Sequence, residues 1–229
     1  MKKRFFISTK FAAMKLAILA NATAKEEWLS KQSGSAGLQW TNSLDELCAA
    51  QADAWFDLQF EYHPGRINKL AALQGPVFIN SVIQPLIDSE LPVENSEFIR
   101  INAWPTFLQR PLTEIAIADP FAETTVREVF SQLGWKYWIV PDVPGMISPR
   151  VIAMIINEAY FTLQAEVSSR AEIDTAMKLG TNYPFGPFEW GDKIGLQNIH
   201  ALLTALSKTD MRYQPSEKLQ QQAGATANI

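Results

Sequence analysis

The sequence predicts an α/β domain followed by an all-helical domain. Short apolar runs alternate with helical patterns through the first two thirds of the chain, as in a sheet that is covered by helices. From Pro149 onward only helical patterns occur, and prolines together with Gly145 mark a boundary at residues 141–145. We therefore place the first domain at residues 14–143 and the second at residues 144–220, with flexible extensions at 1–13 and 221–229.

The elements of the first domain follow from the spacing of its apolar residues. Strands are expected at residues 15–19, 54–60, 76–79, 98–102, 112–118 and 136–140. Helices are expected at residues 25–32, 43–50, 67–73 and 124–133. This alternation is typical of an α/β sheet.

The second domain is defined by helical spacing alone. Residues 149–167 place Val151, Ile155 and Ala159 at intervals of four, which predicts one long helix. Ser169 and Glu172 form a capping box that begins a second helix. A third helix is expected at residues 196–207, and the aromatic, Pro- and Gly-rich segment 183–192 predicts a rigid loop between helices.

Composition excludes several classes of protein. The net charge is −4 and the pI is near 5.3, so no basic field exists to hold nucleic acid or an anionic membrane. Cys48 is the only cysteine, which excludes an intramolecular disulfide and a cysteine-based metal cluster. His63 and His200 form no metal-binding motif, and each is expected to be a surface or structural residue. Trp55 and Trp104 could line a pocket, although packing in the core is the commoner outcome.

The N-terminus has some features of a secretory signal. The segments MKKR and ANATA resemble its basic start and its cleavage site, but Lys10 and Lys15 interrupt the apolar stretch between them. The apolar run at residues 16–20 is shorter than the ~7–15 residues that such a signal needs. No run reaches the ~18–20 apolar residues of a membrane helix. We therefore expect a cytoplasmic protein.

The most specific string is EIDTAMKLGTNYPFGPFEWGDKIGL, at residues 172–196. It resembles the C-terminal helical domain of the 3-hydroxyacyl-CoA dehydrogenases, whose pattern there is IDxAM..G.GYP.GPFE..D.IGL. Asn157–Glu158–Ala159 and the segment RYQPSEKL at residues 212–219 also match that family. The resemblance covers residues 143–219. It implies a domain that forms a dimer interface and one wall of an acyl-CoA cleft in NAD-dependent enzymes of fatty-acid β-oxidation.

The first domain resembles the same family in outline. KLAILANATAKEEW corresponds to the family's KIAVIGAGTMGSGIA, and the three glycines of its NAD-binding turn fall on Ala20, Ala22 and Lys25. Those glycines allow a tight turn, close approach to the pyrophosphate and helix packing, and alanine at a positive φ costs roughly 1–2 kcal/mol. Residues 23–26 predict a capping box that puts Glu26 and Glu27 in the first turn, where carboxylates would repel a pyrophosphate.

A strand of the family is also missing from this domain. The family has a second strand, followed about 20 residues after the glycines by an acidic residue that holds the ribose. Here only LSKQSGSAG separates the first helix from LQWTNSLDELCAAQADAWFDL, which resembles the family's later I..TTDLEEA..ADLVIEA. The resemblance therefore implies a trimmed Rossmann-like domain that lacks the ribose-binding strand.

The family's catalytic pair can be followed onto this sequence. EFIRINAWPTFLQRPLTEIA resembles the family's FIGMHFFNPVPVMPLVEVV, which puts the catalytic histidine position on Asn102 and the glutamate that orients it on Glu114. Histidine can take the hydroxyl proton, whereas asparagine cannot exchange it near neutral pH. Glu114 is therefore expected to be a structural carboxylate.

Polar helpers of the family's site are partly retained. Asn80 and Ser81 keep substrate-binding positions of the family, whereas Val82 stands where a substrate-facing serine would be and Pro149 where an active-site asparagine would be.

Taken together, the resemblance implies a homologue that lacks NAD-dependent redox activity and needs no cofactor. It is expected to form a homodimer through its helical domain and to bind an acyl-CoA or another small ligand in the interdomain cleft. Two alternatives stay open. One is an active NAD-dependent L-3-hydroxyacyl-CoA dehydrogenase with atypical cofactor contacts. The other is a structural or regulatory partner that pairs with an active homologue through residues 151–199.

Overall fold

The first domain is built on a seven-stranded sheet in the order β2-β1-β3-β4-β5-β6-β7, seen in a computed structural model that describes residues 13–31, 33–87 and 97–226. All neighbouring strands pair in parallel except β5 and β6, which are antiparallel. The strands are β1 Lys15–Leu19, β2 Gly37–Thr41, β3 Ala54–Asp57, β4 Pro76–Asn80, β5 Glu97–Ile101, β6 Leu112–Ile117 and β7 Lys136–Val140.

Helices cover the sheet and form the second domain. Those of the first domain are α1 Ala22–Lys31, α2 Leu44–Ala49, α3 Ile67–Leu70 and α4 Ala122–Leu133. Those of the second domain are α5 Ser148–Gln164, α6 Arg170–Thr181, α7 Pro187–Ile194, α8 Leu196–Ser207 and α9 Glu217–Thr226. Single 3-10 turns lie at Phe60–Tyr62, Pro64–Arg66 and Met211–Tyr213. The predicted α/β and all-helical architecture is therefore confirmed.

No strand is predicted between residues 19 and 54, so the sequence does not predict β2. It pairs in parallel with the full length of β1, from Lys15 beside Gly37 to Leu19 beside Thr41. Among the described residues, β2 is the one strand between β1 and the near edge of the sheet. The nucleotide-binding half of a Rossmann fold has two strands in that place. The sheet is therefore trimmed as expected, but the position next to β1 is filled.

Other differences concern the ends of elements. Strand β3 stops at Asp57 because the chain then turns into the 3-10 turn that begins at Phe60. Helix α7 begins at Pro187, inside the segment expected to be a loop, since proline is well suited to a first helical turn. Helix α9 continues to Thr226 and buries Ala223 where a flexible extension is expected, and residues 1–12 and 227–229 lie outside the described residues. The capping box of Ser169 and Glu172 is confirmed.

The two domains share a packed junction. The apolar core of the helical domain includes Val82, Trp104 and Phe107, which follow the carboxyl ends of β4 and β5. The fully buried Arg100 of β5 donates to the carbonyl oxygens of Ser81 and Val82 and pairs with Asp142, just before the helical domain. The carboxyl ends of the strands are therefore fixed against the second domain. None of the helices in the described residues is long and apolar enough to cross a membrane.

Candidate functional site

The residues that resemble the family's catalytic pair are neighbours in the structure. Asn102 follows β5 directly, and its backbone N–H donates to the carbonyl oxygen of Glu114 on β6 at 3.0 Å. Residues that face each other on antiparallel strands project to the same side of the sheet. Both are nearly buried, with Asn102 3% and Glu114 8% exposed. The spacing of twelve residues thus does bring the two positions together.

Their side chains nevertheless engage different partners. The amide oxygen of Asn102 accepts the backbone N–H of Trp104 at 3.4 Å. The Glu114 carboxylate accepts the backbone N–H groups of Ile147 and Ser148, at 3.4 and 2.9 Å, and the Ser148 hydroxyl. These donors lie at the start of α5, where a negative charge is favoured and backbone N–H groups need acceptors. Glu114 therefore acts as an external cap for α5.

The side chains of Asn80 and Ser81, which the resemblance also singled out, make hydrogen bonds within the fold. The amide of Asn80 donates to the carbonyl oxygen of Leu58 and accepts the backbone N–H of Ala103. The hydroxyl of Ser81 donates to the carbonyl oxygen of Gln84 at 2.8 Å. These contacts tie together the ends of β3, β4 and β5. Val82 is fully buried, and Pro149 lies in the first turn of α5, where a missing N–H costs nothing.

The turn between β1 and α1 differs from the prediction. Helix α1 begins at Ala22, and the side-chain oxygen of Asn21 caps it by accepting the N–H of Ala24 at 2.8 Å. The predicted capping box at residues 23–26 is therefore wrong, and no acidic residue lies in the first turn. Neither Ala20 nor Ala22 adopts a positive φ, so the expected strain of alanine does not arise. The exposed Lys25 extends over the ring of Trp40, 5.0 Å from its centroid.

Glu27 makes a contact that was missed in the sequence. Its carboxylate leaves the buried face of α1 and accepts the backbone N–H groups of Thr106 at 2.6 Å and Gln109 at 3.3 Å, in the loop that follows β5. Thr106 has a φ of 76°, which is unusual for a residue other than glycine. Its hydroxyl also accepts the indole N–H of Trp190 on α7 at 3.1 Å. Glu27 thus joins α1 to a strained loop that is itself tied to the second domain.

Burial raises the pKa of Glu27, and the backbone N–H groups of Thr106 and Gln109 and the charge of Arg110 oppose this rise. A carboxylate in this place therefore has a net cost of desolvation that its hydrogen bonds only partly offset.

The space at the carboxyl ends of the parallel strands is small. In an open α/β sheet this crevice is where a dinucleotide binds. Here it is bounded by Asn21, Ala24 and Glu27 on the side of α1 and by Leu58, Asn80 and Ala103 on the side of the strands. Its volume is about 10 Å³, which is about the room that one water needs, whereas ligand pockets measure roughly 300–1,000 Å³.

A wider groove lies beside this crevice, on the other side of Glu27. It measures about 490 Å³ and runs between α1, the loop after β5 and the region of α7 in the second domain. It is lined by Thr23, Glu26, Glu27, Ser30, Thr106, Gln109 and Lys193, together with Pro105 and the ring of Phe185. The Lys193 ammonium nitrogen lies 4.8 Å from the centroid of that ring.

A second carboxylate, also missed from sequence, holds the loops after β4 and β5. Glu61 accepts the backbone N–H groups of Val82 and Ile83 and the indole N–H of Trp104, at 2.7, 2.8 and 2.8 Å. Burial raises its pKa, whereas these three donors and the charge of Arg100 lower it. Its role is to fix the junction between the domains.

The remaining candidates lie elsewhere. His63 is exposed after the first 3-10 turn, and His200 is half-buried on α8. Trp55 and Trp104 are buried in separate parts of the core. Within the described residues no group of three or more His, Cys, Asp or Glu side chains could hold a metal ion.

Comparison with known sequences locates the resemblance in the second domain. The profile of the 3-hydroxyacyl-CoA dehydrogenase C-terminal domain matches residues 145–227. A 3-hydroxyadipyl-CoA dehydrogenase of Escherichia coli (strain K12) is 49% identical over 86 residues, which are 37% of this chain and 18% of that protein. A 3-hydroxybutyryl-CoA dehydrogenase of Bradyrhizobium diazoefficiens is 36% identical over 103 residues, which are 44% of this chain and 35% of that protein. The matches thus span well under two thirds of these relatives.

Comparison with solved structures extends the likeness to the first domain. A (S)-3-hydroxybutyryl-CoA dehydrogenase from Ralstonia eutropha superposes with a TM-score of 0.70 at 20% identity and covers 94% of this chain and 95% of that chain. This shows that the two chains share a fold. A 3-hydroxybutyryl-CoA dehydrogenase from Escherichia coli K12 gives a TM-score of 0.57 at 32% identity, over 67% of this chain and 32% of that one. Residues 145–227 therefore match the C-terminal domain of the 3-hydroxyacyl-CoA dehydrogenase family, and the α/β domain before them has the fold of these enzymes.

Proposed function

We propose that this chain is a 3-hydroxyacyl-CoA dehydrogenase homologue that has no NAD-dependent redox activity and binds an acyl-CoA or another small ligand between its two domains. The observation that carries the proposal is the carboxylate of Glu27, which spans from α1 to the loop after β5 and leaves a crevice of about 10 Å³. A dinucleotide would have to displace this contact and share the space with a negative charge.

The loss of redox chemistry is supported by a second observation. Asn102 stands at the position of the family's catalytic histidine, and its amide neither gains nor loses a proton near neutral pH. The neighbouring carboxylate of Glu114 already accepts three donors at the start of α5. No group at this pair is therefore available to take a proton from a hydroxyl.

Ligand binding is supported by the groove beside Glu27. At about 490 Å³ it has the volume of a small-molecule site. The Lys193 ammonium ion and the hydroxyls of Thr23 and Ser30 could hold polar parts of a ligand, and the Phe185 ring could hold an apolar part. The names of the relatives point to acyl-CoA compounds as the class to test first.

Calorimetric titration of the purified protein with NADH and, separately, with acetoacetyl-CoA tests this proposal. We expect acetoacetyl-CoA to bind and NADH not to bind. A Lys193→Ala variant should weaken acetoacetyl-CoA binding, whereas a Lys208→Ala variant, which changes an exposed lysine outside the groove, should not. Saturable NADH binding would overturn the proposal in favour of an active dehydrogenase with atypical cofactor contacts. If neither compound binds, ligand binding in the groove is refuted.

A role as an assembly partner is favoured by the surface of the second domain. Val151 on α5 and Leu179 on α6 are 51% and 82% exposed, and Ile147 and Phe161 are also exposed. Ile147 stands at the N-cap of α5, and Val151 and Phe161 lie on that helix; a contiguous exposed apolar surface is a feature of protein interfaces. We propose a homodimer through this domain. Mass measurements of the chain alone, and after mixing with an active homologue, would distinguish a homodimer from a mixed dimer, and a monomer in both samples would refute assembly.

A further inference from the structure

Strand β7 forms one edge of the seven-stranded sheet, so that β6 is its neighbour on one side and its other side faces no strand of the described chain. Among the described residues, no backbone hydrogen bond of residues 136–140 reaches beyond the pairing with β6. An edge strand carries a row of unpaired N–H and C=O groups, which proteins usually protect with charges, proline or a bulge. The sequence of β7, KYWIV, has one charge at its first residue and no proline. Its outer edge is therefore open to another strand.

Exposed apolar side chains lie beside this edge. Trp138, in the middle of β7, is 62% exposed and stands opposite Glu114 in the ladder with β6. The Glu114 carboxylate accepts the backbone N–H of Ile147 at the start of α5, which brings that helix next to Trp138. Leu112, two residues before Glu114, lies on the same face of the sheet, and Val151 follows Ile147 by one turn of α5. The exposed side chains of Trp138, Leu112, Ile147 and Val151, together with the open edge, form what we call the β7 surface.

The β7 surface fits a strand with apolar neighbours. At this exposure Trp138 alone leaves roughly 150 Å² in water, and the other three side chains extend the patch across the junction of the two domains. Large contiguous apolar patches are rare on monomers, and those that occur mark interaction sites. The unpaired backbone groups select an extended segment over a helix, since only a strand can pair with them along the edge. The partner therefore presents an extended backbone flanked by apolar side chains.

A second copy of this chain has that chemistry, because its own β7 is such a strand. We propose that two copies pair antiparallel through their β7 strands about a two-fold axis at Trp138. In that register Lys136 faces Val140 of the second copy and Tyr137 faces its Ile139, so that the two lysines do not face each other. The two Trp138 residues meet at the axis. The proposal rests on the homodimer proposed above and names its contact surface.

The same two-fold axis also brings the second domains together. An axis between two antiparallel edge strands stands perpendicular to the sheet, so both copies keep the start of α5 on the same face. Ile147 and Val151 of each copy then flank the Trp138 pair and are removed from water with it. A pairing of five residues alone is marginal, and these apolar side chains supply the additional stabilisation.

Cysteine cross-linking tests the axis directly. Residues directly opposite each other in an antiparallel pair have Cα atoms about 4.5–5.5 Å apart, and a disulfide spans about 4.4–6.8 Å. In a Cys48→Ser background, which removes the one native cysteine, we expect Trp138→Cys to form a disulfide-linked dimer under mild oxidation. Lys136→Cys is the matched control on the same strand, since the two copies of residue 136 would lie roughly 14 Å apart. Leu179→Cys, at an exposed position on α6, controls for random collision.

We expect the cross-linked fraction of Trp138→Cys to exceed those of both control variants at least about 10-fold. In light scattering at several protein concentrations, Trp138→Lys should raise the dissociation constant of the dimer at least about 10-fold, whereas Leu179→Lys should not. Circular dichroism should show that every variant is folded.

Three outcomes would overturn the proposal. One is cross-linking of Lys136→Cys or Leu179→Cys that equals that of Trp138→Cys. The second is a dimer that Trp138→Lys leaves intact, which refutes the β7 surface but leaves the homodimer in place. The third is a monomeric wild type, which refutes the homodimer as well.

Discussion

The backbone N–H of Asn102 donates to the carbonyl oxygen of Glu114 at 3.0 Å, so the two positions that resemble a catalytic pair lie opposite each other, one directly after β5 and the other on β6. Their side chains do not act together, because the amide of Asn102 turns to Trp104 and the carboxylate of Glu114 turns to Ser148. The two positions are thus kept side by side, while their side chains make separate contacts to the loop after β5 and to the start of α5.

Histidine at position 102 alone should not create a dehydrogenase. An Asn102→His variant would have an imidazole beside Glu114, but that carboxylate is engaged by Ile147 and Ser148 and is not free to orient the ring. We expect no NADH-dependent reduction of acetoacetyl-CoA above the wild-type level, measured by absorbance at 340 nm. Circular dichroism should verify that the variant folds. Turnover above the wild type in a folded variant would show that Glu114 is more available than its contacts indicate.

Restoring the glycines of the β1–α1 turn should also be insufficient for NADH binding. The triple variant Ala20→Gly, Ala22→Gly and Lys25→Gly still has Glu27 across the crevice and a single strand outside β1. We expect no saturable NADH binding at micromolar concentrations, measured by calorimetry. Adding Glu27→Gly to the triple variant should increase NADH affinity more than adding Glu26→Gly, because Glu26 is exposed and makes no such contact. Micromolar binding by the triple variant would contradict this interpretation of the crevice.

The sequence predicted the sheet and the helical domain well because their apolar spacing is regular. Strands β1 and β7 and helix α8 have the predicted bounds, and the other elements differ at their ends. Strand β2 was missed because its sequence, GLQWT, is short and begins after a Ser- and Gly-rich segment that is typical of a loop. Its pairing with β1 is a tertiary contact that local spacing does not contain.

The candidate site was predicted in position but not in its contacts. The spacing of Asn102 and Glu114 placed them together, yet the hydrogen bonds of Glu114 to α5 join residues more than 30 positions apart. A signal for Glu27 was available, since it shares a helical face with Ala24 and Lys31 and stands next to the buried Trp28. Glu27 was instead assigned to a first turn because the start of α1 was predicted too late.

The stability of the protein should depend on pH through Glu61. Burial raises its pKa above 4.5, so the folded protein holds more protons than the unfolded chain between these two values. The stabilising contribution is therefore present below pH 4.5 and is lost as the pH rises through the folded pKa. We expect the free energy of unfolding of the wild type, relative to Glu61→Gln, to fall with rising pH in this window, measured by urea denaturation.

Glu172 provides the opposite case for comparison. Hydrogen bonds from Ser169 and Ser168 lower its pKa to about 2 in the capping box of α6. Its contribution is present above pH 4.5 and is lost as the pH falls towards 2. The difference between the wild type and Glu172→Gln should therefore change with pH in the opposite direction to that of Glu61→Gln. If the two differences in the free energy of unfolding change with pH in the same direction, burial does not dominate the pKa of Glu61.

The start of α7 should show strong coupling between Asp174 and Gly186. The buried carboxylate of Asp174 on α6 accepts the backbone N–H groups of Phe188 and Glu189, at 2.8 and 3.3 Å, and so caps α7 from outside. A Cβ atom added at Gly186 would overlap this carboxylate. We expect Asp174→Ala to cost about 1–2 kcal/mol as a lost cap, and Gly186→Ala to cost about 1–3 kcal/mol by overpacking.

In the double variant the Cγ and Oδ1 atoms of residue 174, which overlap the Cβ atom that Gly186→Ala introduces, are gone, whereas the Cβ atom of residue 174 still overlaps it. The overlap is relieved in part, so the combined loss in the free energy of unfolding should be smaller than the sum of the two single losses, by about 0.5 kcal/mol or more. Gly180→Ala is the matched control, because a Cβ atom there meets nothing within 4 Å and α6 continues through it. That change should stabilise the protein by about 0.5–1 kcal/mol, since alanine favours a helix over glycine. Additive losses in the double variant would mean that Gly186 is required for its backbone conformation and not for the space that Asp174 occupies.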